Sequence, residues 1–117
     1  MDFPRPDLYP YLGTRVHIII DRPIGHHHKG MVYPVNYGYI PGLLGGDGEE
    51  QDAYVLGVSS PLAEFDGEVI AIVLRRDDCE DKLVAAPAEV AFRIEEIAEA
   101  IHFQEQYFDH TILVSQL

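Results

Sequence analysis

The chain has 117 residues, 47% of them hydrophobic, and its 20 acids against eight bases give a formal net charge of −12. That length suits a single domain, residues 1–117, with a core of its own, and no apolar run approaches the ~20 residues of a membrane span. The lack of Lys/Arg blocks excludes non-specific nucleic-acid binding through counterion release, and a protein this acidic would meet an anionic substrate through metal cations.

The first ten residues carry no basic segment followed by an apolar core, so no signal peptide is expected. Residues 1–13 hold three prolines and read as an irregular arm. Arg15 to Ile20 is β-branched and apolar, a strand that Asp21-Arg22-Pro23 ends. Ile24 to Gly30 is a polar loop containing His26-His27-His28, and Met31 to Tyr39 is strand-like with breaks at Pro34 and Gly38. Pro41 to Gly48 reads as a turn, followed by a strand over 52–57. Ser59-Ser60-Pro61 breaks that strand, and residues 63–67 form an acidic turn. Glu68 to Arg75 is the strongest strand pattern, and a second acidic turn, Asp77 to Asp81, leads into a strand over 82–86. Short strands at close spacing with Gly- and Pro-containing turns predict a small closed or nearly closed barrel. From Ile94 to Phe108 the period becomes helical, with Ile94, Ile97, Ala98, Ile101 and Phe108 on one face and Glu95, Glu96, Glu99 and Glu105 mostly elsewhere. Residues 111–114 suggest a last short strand.

Two acid clusters lie in turns that a small barrel can bring to one rim: Asp47, Glu49 and Asp52, and then Asp77 to Asp81. Loosely grouped carboxylates suit a hard cation such as Mg²⁺, which keeps several of its waters. The bland reading is solvated surface, which holds for most acidic turns. Neither cluster has EF-hand spacing. Three consecutive histidines cannot all face one metal, because neighbours in an extended chain point to opposite sides. At most His26 and His28 converge, with His17 or His110 as a further ligand, and a plain polar loop is the alternative. Tyr37, beside Gly38, is the tyrosine best placed to offer its hydroxyl to a ligand, while Tyr33, Tyr39 and Tyr54 read as core aromatics. Lys82 is a strand-end cation or an anion clamp. The single cysteine, Cys79, sits in an acidic stretch, is not expected to be a nucleophile, and fits a reducing, cytoplasmic setting.

The run Tyr33-Pro34-Val35-Asn36-Tyr37-Gly38-Tyr39-Ile40-Pro41-Gly42, followed by Asp47-Gly48-Glu49-Glu50-Gln51-Asp52, resembles the soluble family I inorganic pyrophosphatases. Asp77 to Pro87 resembles that family's second acidic segment and lysine-led strand, and His102-Phe103 through Tyr107 its tail helix. The resemblance implies an α+β, mainly β fold: a five-stranded OB-type barrel with a C-terminal helix packed beside it. It implies Mg²⁺, or Mn²⁺, held by Asp47, Asp52, Asp77 and Asp81, with Glu49 in the place of the base that deprotonates the attacking water. Tyr37, Lys82 and Tyr107 would contact phosphate oxygens, and Arg22 and Lys29 are the remaining candidates for the family's other basic contacts. Asp21 matches an acid on the first strand. Phe108 stands where a phosphate-binding lysine is usual, and Glu49 is one methylene longer than the aspartate it replaces. The implied function is hydrolysis of diphosphate by a cytoplasmic homo-oligomer that binds neither nucleic acid nor membrane. The alternative is a relative that binds metal and a phosphorylated ligand without turnover, or one that hydrolyses another phosphoanhydride.

Overall fold

The computed structural model describes residues 7–115. The first six residues of the expected arm lie outside that range. A short 3₁₀ turn, Tyr9–Tyr11, precedes eight strands and one helix: β1 (Arg15–Arg22), β2 (His27–His28), β3 (Met31–Val32), β4 (Asn36–Leu44), β5 (Glu50–Val55), β6 (Glu64–Arg75), β7 (Lys82–Ala86), α1 (Ile94–Glu105) and β8 (His110–Val114). The order β1-β4-β5-β7-β6 closes through a β1–β6 pairing into a five-stranded barrel, and β8 extends the sheet on β6. β2 and β3 form a separate two-stranded ribbon. The fold is therefore the mainly β barrel with a C-terminal helix that the sequence implied. No described helix is long and apolar enough to cross a membrane.

Alternation along the strands divides the apolar residues into two cores. Ile18, Ile20, Ile40, Ala53, Val55, Ile72, Leu83 and Ala85 fill the barrel. Tyr33, Tyr37, Tyr54, Ala71, Val73 and Val84 point outward and are covered by Ile97 and Ile101 of α1. That second layer is why every residue of β7 is buried: a strand covered on both faces loses its polar alternation.

Three local readings are corrected. The chain does not turn at Pro41. β4 continues to Leu44 through an irregular register with β5, Gly42 adopts φ +83°, and its N–H is taken by the Glu50 carboxylate at 2.9 Å. The acidic stretch at 63–67 is also not a turn, because β6 begins at Glu64. Its first five residues pair with β1 and its later ones with β7 and β8, so this one long strand is what closes the barrel. The helix stops at Glu105 rather than Phe108, where Tyr107 and Phe108 fold back onto the carbonyls of Gln104 and Glu105 and lead into β8.

α1 also buries a different face. Ile94 and Ala98 are exposed, while Gln104 and Glu105 lie inside with Ile97 and Ile101. Glu105 is fully buried because Arg75 of β6 meets it with two hydrogen bonds, Nε at 3.0 Å and an η nitrogen at 2.6 Å. Tyr54 donates a third at 2.6 Å. A buried carboxylate persists only when paired in this way.

Candidate active site

The outward faces of β4, β5 and β7, the end of α1 and the β2–β3 ribbon surround a cleft of about 520 Å³. Register sets its floor. Tyr37 lies opposite Tyr54, and Ala53 opposite Leu83, so Asp52 and Lys82, one residue earlier on their strands, are neighbours sharing the outward face. Lys82 Nζ is 2.7 Å from Asp52 Oδ2, and the Tyr37 hydroxyl donates to the same oxygen at 2.9 Å. Burial, followed by the Asp52 charge, holds the Tyr37 hydroxyl well above its ordinary pKa, so it stays a donor.

Arg22 enters by a different route. Ile18 and Ile20 face the barrel interior, and strict alternation would send Arg22 there too. A register shift between Ile20 and Arg22 re-aims the guanidinium outward, a common use of a bulge. It then lies 5.7 and 5.4 Å from the Tyr33 and Tyr37 ring centres, within cation–π range. Lys29 reaches the cleft from the tip of the ribbon, where Lys29 (φ 50°) and Gly30 (φ 78°) form a tight turn with both residues left-handed. A lysine in that region is uncommon and strained. His28 lines the same wall. The positive charge of Arg22, then burial, holds its ring below the ordinary histidine value, so it is neutral at pH 7.

The two acidic loops meet beside this cleft at a glycine. A Cβ on Gly46 would collide with the Cys79 carbonyl oxygen, so only glycine lets the loop at 45–49 press against the turn at 77–81. Asp47 and Glu80 are thereby brought against each other, and the interaction between them lowers the Asp47 carboxyl and raises that of Glu80. A notch of about 10 Å³ opens here, lined by Asp47, Glu50, Asp52, Glu80 and Asp81 among others.

The expected site residues are thus partly assembled. Tyr37, Asp52, Lys82, Lys29 and Tyr107 all line the cleft, Tyr107 as a largely exposed rim residue, and Asp47 lies in the adjoining notch. The other three acids are placed differently: Glu49 and Asp77 line neither hollow, and Asp81 lines the notch as a buried residue. Glu49 is exposed. Asp77 is exposed and accepts the Asp109 N–H at 3.1 Å, which turns it toward β8. Asp81 is buried, with Oδ1 accepting the Arg75 backbone N–H at 3.0 Å, so it ties the turn together. Glu80 lines both the cleft and the notch, where Asp81 is its neighbour. Alternation held the signal: counting back from outward-facing Lys82, Asp81 points the other way and Glu80 shares the lysine's face. Arg75 and Phe108 were also missed as a unit. The Arg75 guanidinium sits 3.6 Å from the Phe108 ring centre, so the aromatic at 108 packs on an arginine of the cleft wall.

These donors fit a divalent cation in part. Asp47, Glu80 and Asp52 offer hard oxygens around one notch, and carboxylates crowded together in this way favour a cation between them. No three acidic, histidine or cysteine side chains close into a metal cage among the described residues, and Asp52 is already held by Lys82. The arrangement suits an ion that keeps much of its water. His26 and His28 approach to 6.4 Å between ring centres without forming such a group.

A family model described as inorganic pyrophosphatase matches residues 14–112. An inorganic pyrophosphatase of Xanthomonas campestris pv. campestris is 36% identical over 108 residues, covering 80% of this chain and 57% of its own. One from Saccharolobus solfataricus is 35% identical over 106 residues, covering 77% and 60%. The chain therefore spans little more than half the length of the curated relatives it matches. Among solved structures, the inorganic pyrophosphatase of Ehrlichia chaffeensis superposes with a TM-score of 0.65 at 18% identity, over 92% of this chain and 87% of that one. That of Thermus thermophilus gives 0.59 at 21% identity, over 97% and 86%. At those identities the superpositions establish the fold alone.

Proposed function

The chain belongs to the inorganic pyrophosphatase family, and on that premise we propose that it hydrolyses inorganic diphosphate to two phosphates in the presence of Mg²⁺ or Mn²⁺. The observation that carries this reading is the cleft itself. Arg22, Lys29, Lys82 and the Tyr37 hydroxyl face one hollow, and Asp47, Asp52 and Glu80 stand at its edge.

In this reading Arg22 and Lys29 bind the oxygens of one phosphoryl group, and Lys82 and Tyr37 those of the other, with Tyr107 at the rim. Asp47, Glu80 and Asp52 would hold the divalent ion. When bound, the ion neutralises phosphate oxygens and lowers the pKa of a coordinated water. Hydrolysis forms a bond from water oxygen to phosphorus and breaks the bridging P–O bond, whose electron pair leaves with the second phosphate. The water's proton must pass to a carboxylate facing the cleft, and Asp52 and Glu80 meet that condition where exposed Glu49 does not. Lys82 and Tyr37 then donate to the oxygens on which charge grows.

The test is phosphate release from diphosphate with each cation, for wild type and Asp52→Asn. Release by wild type, lost in the variant, is expected. No release with either cation from a folded sample overturns the proposal. A second reading, a protein that binds phosphate or metal without turnover, draws on Asp52 being committed to Lys82 and Tyr37. Saturable diphosphate binding without release would select it. A homo-oligomer in the cytoplasm belongs to the same proposal. The exposed Val90 and Ile94 support self-association, which sedimentation would read directly.

A further inference from the structure

Beneath the cleft, six side chains form one hydrogen-bonded chain between its two arginines. Arg22 donates to the Tyr33 hydroxyl at 2.8 Å, and Tyr33 donates to Gln104 Oε1 at 2.7 Å. Gln104 Nε2 donates to the Tyr54 hydroxyl at 2.8 Å, and Tyr54 donates to Glu105 at 2.6 Å. Glu105 receives Arg75 with two further bonds. Every proton in the chain runs the same way, toward the buried Glu105 carboxylate. A guanidinium only donates, so Tyr33 serves Arg22 as an acceptor, and the bonds to Gln104 and onward hold that oxygen in place. One η nitrogen is thereby engaged, and the remaining N–H groups of Arg22 stay available to the cleft it lines.

The two arginines end in opposite conditions. Arg75 is matched by Glu105 and by Asp78, whose carboxylate is 3.0 Å away. Arg22 has no carboxylate within ion-pair distance among the described residues, and it lies against the Tyr33 and Tyr37 rings. Its charge and remaining N–H groups therefore face the hollow, oriented but not neutralised. A planar fork held in that state is suited to the oxygens of a phosphate, with no divalent ion between them.

We propose that Gln104 and Glu105 of α1, acting through Tyr33 and Tyr54, are positioning residues that hold Arg22 as a direct, metal-independent ligand for a phosphate oxygen. This rests on the reading that the cleft takes phosphate groups, but not on turnover.

The experiment is a double-mutant cycle on the full chain, reading the affinity for inorganic phosphate by calorimetry with a chelator present. Arg22→Ala should weaken binding about tenfold or more, as should Arg22→Lys, which keeps the charge but loses the fork. Tyr33→Phe keeps the ring and removes the acceptor, and should weaken binding about fivefold. Gln104→Met, which cuts the next bond, should reproduce that loss. In the Arg22→Ala background neither substitution should cost anything further, whatever it does to the melting temperature. Equal losses in both backgrounds, wild-type affinity in Tyr33→Phe and Gln104→Met, or no phosphate binding by the wild type each overturn the inference. Diphosphate hydrolysis by the same variants, with Mg²⁺ or Mn²⁺ in place of the chelator, separates it from the proposed function. Non-additive phosphate binding without turnover removes the hydrolase and leaves the positioning role, and turnover with additive losses does the reverse.

Discussion

Replacing Glu105 by glutamine keeps the shape of the side chain and removes its charge. The carboxylate is fully buried and accepts from Arg75 twice and from Tyr54 once, while the Arg75 side chain is only 3% exposed. Burial works against the Arg75 charge, and the hydrogen bonds and charge of Glu105 more than reverse it, so its pKa is raised. Breaking a buried pair from one side costs ~3–5 kcal/mol, because the remaining charge is stranded. Asp78 still meets Arg75 at 3.0 Å, which places the expected loss near ~3 kcal/mol. For a domain of this size that is a fall in melting temperature of roughly 12 °C. Urea unfolding of wild type and Glu105→Gln, followed by circular dichroism, measures it. The double substitution Arg75→Met with Glu105→Leu should recover most of the loss, because an apolar pair needs no desolvation of charge. A loss below ~1 kcal/mol in Glu105→Gln, or a double variant less stable than the single one, would refute the claim that this pair is desolvated and mutually dependent.

Two further outcomes follow from the site. Gly46→Ala should destabilise the protein by ~1–3 kcal/mol and separate the acidic loops, since the new methyl meets the Cys79 carbonyl. A thermal melt reads the first effect, and loss of the upward shift of Glu80 in an NMR titration reads the second. Acid stability should depend on Asp78. Burial pushes its carboxyl up, and the hydrogen bonds from Arg75 and the Cys79 and Glu80 backbone, with the Arg75 charge, together more than offset this, leaving it below its ordinary 3.8. A group lowered on folding stabilises fully above its unfolded pKa and loses that contribution as pH falls through the folded value. Unfolding free energies from about pH 5 down to about pH 2 should therefore fall less steeply in Asp78→Asn than in wild type.

Some of this architecture was legible because its causes are local. β7 begins at Lys82 and ends at Ala86, as expected from an acidic turn before it and Pro87 after it. The start of α1 at Ile94 was equally plain, with Glu95 and Glu96 in its first turn and the Glu96 carboxylate on the Arg93 N–H. What escaped reading depends on partners distant in sequence. Pro41 and Gly42 carry turn chemistry, and it is spent on an irregularity within β4: pairing with β5 resumes at Leu44, and the Glu50 carboxylate holds the Gly42 N–H. Glu105 looked like a surface acid because its cation lies 30 residues away on β6. Arg22 was a candidate basic contact through the family resemblance alone, since the register shift that turns it from the barrel interior to the cleft leaves no mark in the sequence. That Glu80 faces the cleft needed the direction in which Lys82 points, and hence its register against β5.

A protein of net charge −12 and a polyanionic substrate are not in conflict once charge is followed locally. Beyond about 8–10 Å, ordinary salt screens the field of the surface acids, so the side chains of the cleft govern what binds there. Two of its cations are already matched: Arg75 by Glu105 and Asp78, and Lys82 by Asp52. Lys29 and Arg22 have no carboxylate in ion-pair reach among the described residues, and these are the charges left for a phosphate. In the adjoining notch Asp47 and Glu80 lie against each other, which raises the Glu80 carboxyl. A divalent ion held there would relieve that repulsion and add positive charge beside the cleft. In the proposed hydrolase the acids and these bases would divide the work, the acids drawing the metal and the bases gripping the anion, with diphosphate as a group that can span both.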